Sequence, residues 1–174
     1  GFEIEGKTIG LIGYGKTGKS FAKKLSGFNC NIIFCDIKTN LADNYAREVK
    51  INELKKTSDI ISLHTNLNQS SRHIIDKQFI KDCRKPFCLI NTARGECVSN
   101  HDLIYGLESD KIIGAGLDVL ENENKDFEGI AVDQNLDKLK KFENVILTPH
   151  IAGWSIESKV KLAQITVNKI KEFL

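Results

Sequence analysis

The 174-residue sequence contains no methionine, begins at Gly1, and is therefore expected to be an excerpt or processed piece of a longer product. It has no apolar run long enough to cross a bilayer and no signal peptide, so no membrane partner is expected and the cytoplasm is the expected location. An excess of charge is missing too. Lys and Arg number 25 against 23 Asp and Glu, the basic residues are scattered, and no nucleic-acid partner is expected. The five cysteines, Cys30, Cys35, Cys83, Cys88 and Cys97, include no C-x-x-C pair and are odd in number. They are expected to be reduced thiols in a reducing compartment, with Cys35 and Cys88 acting as small hydrophobes in apolar runs. No His/Cys cluster has ligand spacing, so no metal is expected. There is no internal repeat, low-complexity tract or linker. What is present is a globular composition, 41% hydrophobic and 28% charged, sized for one domain with a substantial core.

The most informative stretch is Ile9–Ser20, IGLIGYGKTGKS. Gly13, Gly15 and Gly18 fit the dinucleotide-binding pattern G-x-G-x-x-G. Gly13, Gly18, Lys19 and Ser20 also fit the phosphate loop G-x-x-x-x-G-K-S. Both patterns set an anion on backbone N–H groups at a helix N-terminus, where the dipole is positive. The motif alone does not choose between them.

Its surroundings favour the first. Lys7–Ile12 reads as a strand. A helix follows with Phe21, Leu25 and Phe28 on one face, and Gly27 is a plausible end signal. Asn31–Cys35 is a second strand, closed by Asp36. Strand, glycine turn, helix, strand and acid make the unit that the dinucleotide pattern requires. A carboxylate at Asp36 accepts ribose hydroxyls and repels a 2′-phosphate, which favours NAD over NADP.

Further along, Leu41–Lys56 reads as a short helix, a brief strand near Val49 and a helical turn around Asn52. Asp59–His64 is a buried parallel strand. Asp76–Cys83 is a helix, Phe87–Asn91 a strand, Asn100–Ser109 a helix capped by Ser99 or Asn100, and Ile112–Leu117 a strand. Glu121–Asp133 reads as an acidic loop, Asn135–Phe142 as a short helix and Val145–Leu147 as a last strand. A closing helix starts at Ser155 and carries an apolar stripe, Ile156, Val160, Ala163, Val167, Ile170 and Leu174, suited to core or domain packing. Alternating strands and helices predict an α/β doubly wound parallel sheet, a Rossmann-type NAD(P)-binding domain over residues 1–174.

In such a sheet, ligands collect at the C-terminal ends of the strands. The predicted strands end on Gly13, on Asp36, on His64-Thr65-Asn66, on Asn91-Thr92-Ala93-Arg94-Gly95, on Asp118 and on Thr148-Pro149-His150. Arg94 offers a planar fork for a carboxylate. His150 is suited to proton exchange near neutral pH. Glu123 is a candidate to orient it. Asp118, with backbone near Thr92 and Ala93, is placed to orient a nicotinamide. The expected NAD contacts are Gly13, Tyr14, Gly15, Lys16, Thr17, Gly18, Asp36, His64, Thr65, Asn66, Thr92, Ala93, Arg94, Asp118, His150 and Gly153.

The runs IGLIGYGKTGKSFAKKL, LHTNLNQSSRHIID, NTARGECV, GAGLDVLENE and NVILTPHIAG together resemble the D-isomer-specific 2-hydroxyacid dehydrogenases, almost end to end. The resemblance implies an NAD-dependent oxidoreductase, a homodimer acting on a small 2-hydroxy acid. By that resemblance Arg94 is the substrate-carboxylate arginine, Glu123 the acid of a His–Glu dyad and His150 the general acid/base. It also implies a substrate domain built from sequence outside these 174 residues, so that this piece binds NAD without efficient turnover. Likeness around HIAGW suggests 3-phosphoglycerate as substrate. Asn66, Asn68, Ser99, Asn124 and Trp154 depart from the family's usual residues. Two alternatives stay open: a phosphate-loop hydrolase using Lys19 and Ser20, and an NAD(H)-sensing module of the corepressor type.

Overall fold

The computed structural model describes residues 1–121 and 134–173. Its elements are β1 (Thr8–Ile12), α1 (Lys16–Leu25), β2 (Asn31–Cys35), β3 (Arg47–Glu48), α2 (Ile51–Thr57), β4 (Ile60–Leu63), α3 (Lys77–Asp82), β5 (Phe87–Asn91), α4 (Asn100–Glu108), β6 (Ile112–Leu117), α5 (Gln134–Leu139), β7 (Val145–Leu147) and α6 (Ile156–Glu172). The seven strands form one sheet in the order β3-β2-β1-β4-β5-β6-β7, and every pairing is parallel. The order reverses between β1 and β4, which opens the crevice where ligands bind in this architecture.

Alternation along β1 and β2 sorts side chains to the two faces. Ile9, Leu11, Ile32 and Phe34 pack with Ala22 and Leu25 of α1. Ile12 and Ile33 pack with Leu54, Phe79, Ile80 and Leu103 from α2, α3 and α4. One face is thus covered by four helices (α2–α5) and the other, beside β1 and β2, by α1. β4 is buried at every position, as an interior parallel strand requires. Register puts Ile146 on the same face as Gly116 and Ile90, and Ile146 is 70% exposed there.

Several sequence expectations need correction. α1 ends at Leu25, and Ser26–Phe28 continues as a 3-10 turn. The chain turns not at Gly27 but at Asn29, whose φ is +51°. Phe28 therefore leaves the helix face and is exposed. No helix forms between Leu41 and Ala46; Asp43 folds this stretch as a turn by accepting from Tyr45 N and Ala46 N. α2 is capped at Lys50, ahead of Asn52. α5 ends at Leu139, earlier than expected. α6 begins after its Ser155 cap as expected, but none of its residues is buried, so its stripe is not core. Most of the acidic loop and Leu174 lie outside the described residues.

Candidate active site

The glycine turn is built by close backbone contact. Gly13 has φ +94°, and a Cβ on it would lie 2.6 Å from the His64 carbonyl oxygen. A Cβ on Gly18 would lie 2.5 Å from the Gly13 carbonyl oxygen, so α1 packs directly on the turn. Gly15 differs: nothing lies within 4 Å of where its Cβ would be. It caps α1 without a side-chain bond, and the first turn contains no acid. The turn therefore leaves unclaimed space beside N–H groups at a helix start, which fits a pyrophosphate.

α1 starts at Lys16, so Lys19 and Ser20 lie one turn into the helix. Lys19 Nζ stands 5.5 Å over the Tyr14 ring. A phosphate loop would need both residues at the helix start, and that reading falls. The Tyr14 side chain also leaves the cofactor side. It is 1% exposed, stacks on Phe34 at 3.8 Å and donates its hydroxyl to Asp43 at 2.8 Å. Burial, then Asp43, pushes the phenol pKa up. Its backbone remains in the turn: Tyr14 N donates to Asp36 Oδ2 at 2.6 Å, while Lys38 N donates to Oδ1 at 2.9 Å. Asp36 thus stands at the end of β2 with its carboxylate held in place. Each oxygen keeps a second lone pair for a ribose hydroxyl.

His64 closes β4. Its Nε2 lies 3.1 Å from Ser62 Oγ, and its ring packs 5.1 Å from Phe21. Nδ1 is buried with no hydrogen-bond partner among the described residues. Burial lowers its pKa from 6.5 to about 4, so the ring is neutral at pH 7. Its backbone carbonyl faces Gly13. Beyond it, the Thr65 hydroxyl lies 3.5 Å from Cys97 Sγ, and the Asn66 carbonyl accepts from Ser71 Oγ.

Two braces absent from the sequence expectations hold the catalytic candidates. Asn91, fully buried at the end of β5, donates to the Arg94 carbonyl at 2.9 Å and accepts from Ala93 N at 3.0 Å. This shapes the loop from which Arg94 and Thr92 emerge exposed. Asp118, 4% exposed, is not simply a rim acid. It accepts from the Thr148 hydroxyl at 2.6 Å, Ile151 N at 2.9 Å and Ala152 N at 2.8 Å. Burial opposes its charge, but these bonds and His150 keep its pKa below the usual value. His150 sits inside that clasp with φ +54°, donating its N–H to the Asp118 carbonyl at 2.8 Å. Asn91 was legible as an amide ending an apolar strand; the second role of Asp118 had no signal. Gly153 lies exposed in the turn before α6. Glu123 lies outside the described residues.

Asn68 and Ser99 serve as local caps, and nothing in the structure explains the Asn66 side chain. Asn68 caps its turn by accepting from Ser70 N and Ser71 N. Ser99 caps α4 by accepting from Asp102 N. Trp154 is exposed beneath the Lys159 ammonium. Asn124 lies outside the described residues. A shallow cavity lined by Thr8, Asn31, Arg47 and Thr57 opens at the opposite ends of β1 and β2, away from the rim. No helix among the described residues is long and apolar enough to cross a membrane.

Comparison with known proteins adds the family. Residues 1–152 match the family model described as D-isomer specific 2-hydroxyacid dehydrogenase, NAD binding domain. The chain is 36% identical over 180 residues to an aromatic 2-oxoacid reductase of Clostridium sporogenes, covering 99% of this chain and 54% of that protein. It is 35% identical over 174 residues to a glyoxylate reductase of Thermofilum pendens, covering 98% and 49%. A crystal structure of D-lactate dehydrogenase from Aquifex aeolicus, complexed with NAD and lactic acid, superposes with a TM-score of 0.85 at 34% identity, covering 99% of this chain and 54% of that one. The chain spans about half the length of the curated relatives it matches. These names give no support to the corepressor alternative.

Proposed function

The chain belongs to the D-isomer specific 2-hydroxyacid dehydrogenases, as their NAD-binding domain, and from that membership we propose that the whole protein interconverts a D-2-hydroxy acid and its 2-keto acid. The observation that carries this reading is one sheet edge. The glycine turn, the Arg94 loop braced by Asn91 and the His150 turn clasped by Asp118 all follow strands on that edge.

NAD, when bound, supplies the hydride acceptor or donor. The backbone of Gly13–Gly18 and the start of α1 hold its pyrophosphate, with Lys16 and Thr17 in the first turn, and Asp36 holds a ribose. His64, Thr65, Asn66, Thr92, Ala93 and Gly153 border the rest of the site. Arg94 grips the substrate carboxylate through two parallel N–H donors. His150 gives a proton to the carbonyl oxygen during reduction and removes it during oxidation. Glu123 orients His150.

The substrate domain lies in sequence beyond these residues, and the exposed stripe of α6 supports a further packing partner. The protein works as a homodimer in the cytoplasm, a location supported by five free thiols. Within the substrate class, 3-phosphoglycerate is one candidate. The test is a panel on the full-length protein with NADH and NADPH. The panel spans pyruvate, glyoxylate, hydroxypyruvate, phenylpyruvate and 3-phosphohydroxypyruvate. Reduction of at least one acid is expected, with NADH favoured by about ten-fold or more, the order that one repelled charged group supplies. No reduction of any acid by either cofactor would sink the proposal.

A further inference from the structure

The loop that presents Arg94 is gripped on both sides, and the two grips are joined by a single carboxylate. On one side, Gly95 lies flat against the next loop: a Cβ there would overlap the Leu120 carbonyl and stand 2.7 Å from Glu121 N. On the other, the Glu96 carbonyl accepts from His73 N at 2.7 Å, and the Cys97 carbonyl accepts from Ile75 N at 3.1 Å. His73 has φ +50°, in the left-handed region that histidine enters more readily than most side chains. Its Nε2 meets Glu121 Oε1. The other carboxylate oxygen of Glu121 accepts from Asn100 N, at the start of α4, at 3.0 Å. The ring runs Gly95–Glu96–His73–Glu121–Leu120 and returns to Gly95. The Glu121 side chain is 19% and that of His73 42% exposed, so solvent screens the His73–Glu121 pair, and the bond from Asn100 N is the more sheltered of the two.

We propose that Glu121 is a positioning residue for Arg94: paired with His73, it locks the loops after β4, β5 and β6 together and sets where the guanidinium stands. This rests on the reading of Arg94 as the substrate-carboxylate group. A displaced guanidinium loses the parallel alignment that a bidentate grip requires, so the cost falls on substrate binding. The ring includes neither the glycine turn nor Asp36, which hold the pyrophosphate and the ribose, so cofactor affinity changes less than substrate affinity.

In the full-length protein, Glu121→Ala is expected to raise the KM for the 2-keto acid about ten-fold. Its kcat should change less, and its NADH Kd should stay within about two-fold of the parent value. His73→Ala shifts KM in the same direction, and the double variant is no worse than Glu121→Ala alone, because the two residues share one interaction. Glu121→Gln keeps an acceptor for Asn100 N and falls between parent and Glu121→Ala. A KM within about two-fold of the parent, additive effects, or a fall in kcat and Tm at constant KM would each overturn the proposal, since a merely structural pair behaves that way. Hydrogen exchange on the same proteins reads the clamp without turnover. Glu121→Ala is expected to speed exchange at residues 94–100 about ten-fold, with β1 and β4 unchanged. Unchanged exchange at 94–100 overturns the clamp. A parent protein that exchanges as expected but reduces no acid removes the dehydrogenase reading and leaves the clamp standing.

Discussion

Burial holds the His64 imidazole at a pKa of about 4, against 6.5 when free. Between those values the unfolded chain binds a proton that the folded chain excludes, so stability falls as pH drops from about 6.5 toward 4. The whole shift corresponds to about 3 kcal/mol, of which about 2 kcal/mol is lost by pH 5. Asp118, whose pKa lies below the usual carboxylate value, loses its contribution only at lower pH. Thermal melts should therefore drop between pH 7 and 5, and His64→Gln should flatten that drop; an unchanged slope would remove His64 as its source. His150 lies in a rim turn whose shape Asp118 maintains, and its expected part is proton transfer. His150→Gln in the full-length protein should lower kcat by about 100-fold or more while NADH affinity stays within about two-fold; steady-state kinetics with a fluorescence titration checks both. Arg94 and His150 were legible in the sequence because their neighbours form recognisable runs. Glu121 was not, because its partners, the His73 ring and Asn100 N, are brought near it only by the fold.

The glycine turn separates two uses of glycine within one element. A side chain on Gly18 meets a backbone carbonyl that cannot retreat, so Gly18→Ala should cost about 1–3 kcal/mol of stability. Gly15 faces open space. Gly15→Ala should stay within about 1 kcal/mol of the parent yet weaken NADH binding, because the methyl takes space left for the pyrophosphate. Denaturant melts and NADH titrations on both variants decide this, and a Gly15→Ala protein with full NADH affinity would contradict it. α6 presents a related contrast. Ile156 is 82% and Val160 64% exposed, so serine at both should shift the stability of the 174-residue chain by no more than about 0.5 kcal/mol each. In the full-length protein, where a further domain is proposed to cover the stripe, the same changes should lower Tm by several degrees. Equal effects in both proteins would count against a covering partner. The helix and its stripe were legible from spacing alone. Its exposure was not, since periodicity identifies an apolar face without saying what lies opposite.

For the molecule as a whole, among the described residues of the rim Arg94 and Thr92 are exposed, as is the chain from Ile151 to Trp154. Hydride transfer needs a site that excludes water and fixes the substrate. The 174-residue chain alone should therefore bind NADH but reduce 2-keto acids about 1,000-fold or more below the full-length protein, as measured side by side; comparable turnover would refute the proposed second domain.

Local pattern settled much in advance. Short continuous apolar runs specified the strands, and β2, β5, β6 and β7 fall where the pattern placed them. The glycine spacing with Asp36 specified a dinucleotide turn, and the rim runs specified the family. These are properties of neighbouring residues, and the sequence contains them outright. The surroundings of the glycine turn already favoured the dinucleotide reading over the phosphate loop, and the start of α1 at Lys16 agrees with that choice. The turn of Tyr14 into the core, the clasp of Asp118 on the His150 loop and the closure of Glu121 on His73 came only with the assembled sheet. Each depends on groups 29 to 48 positions apart in the chain, and their contact is decided by how the strands stack.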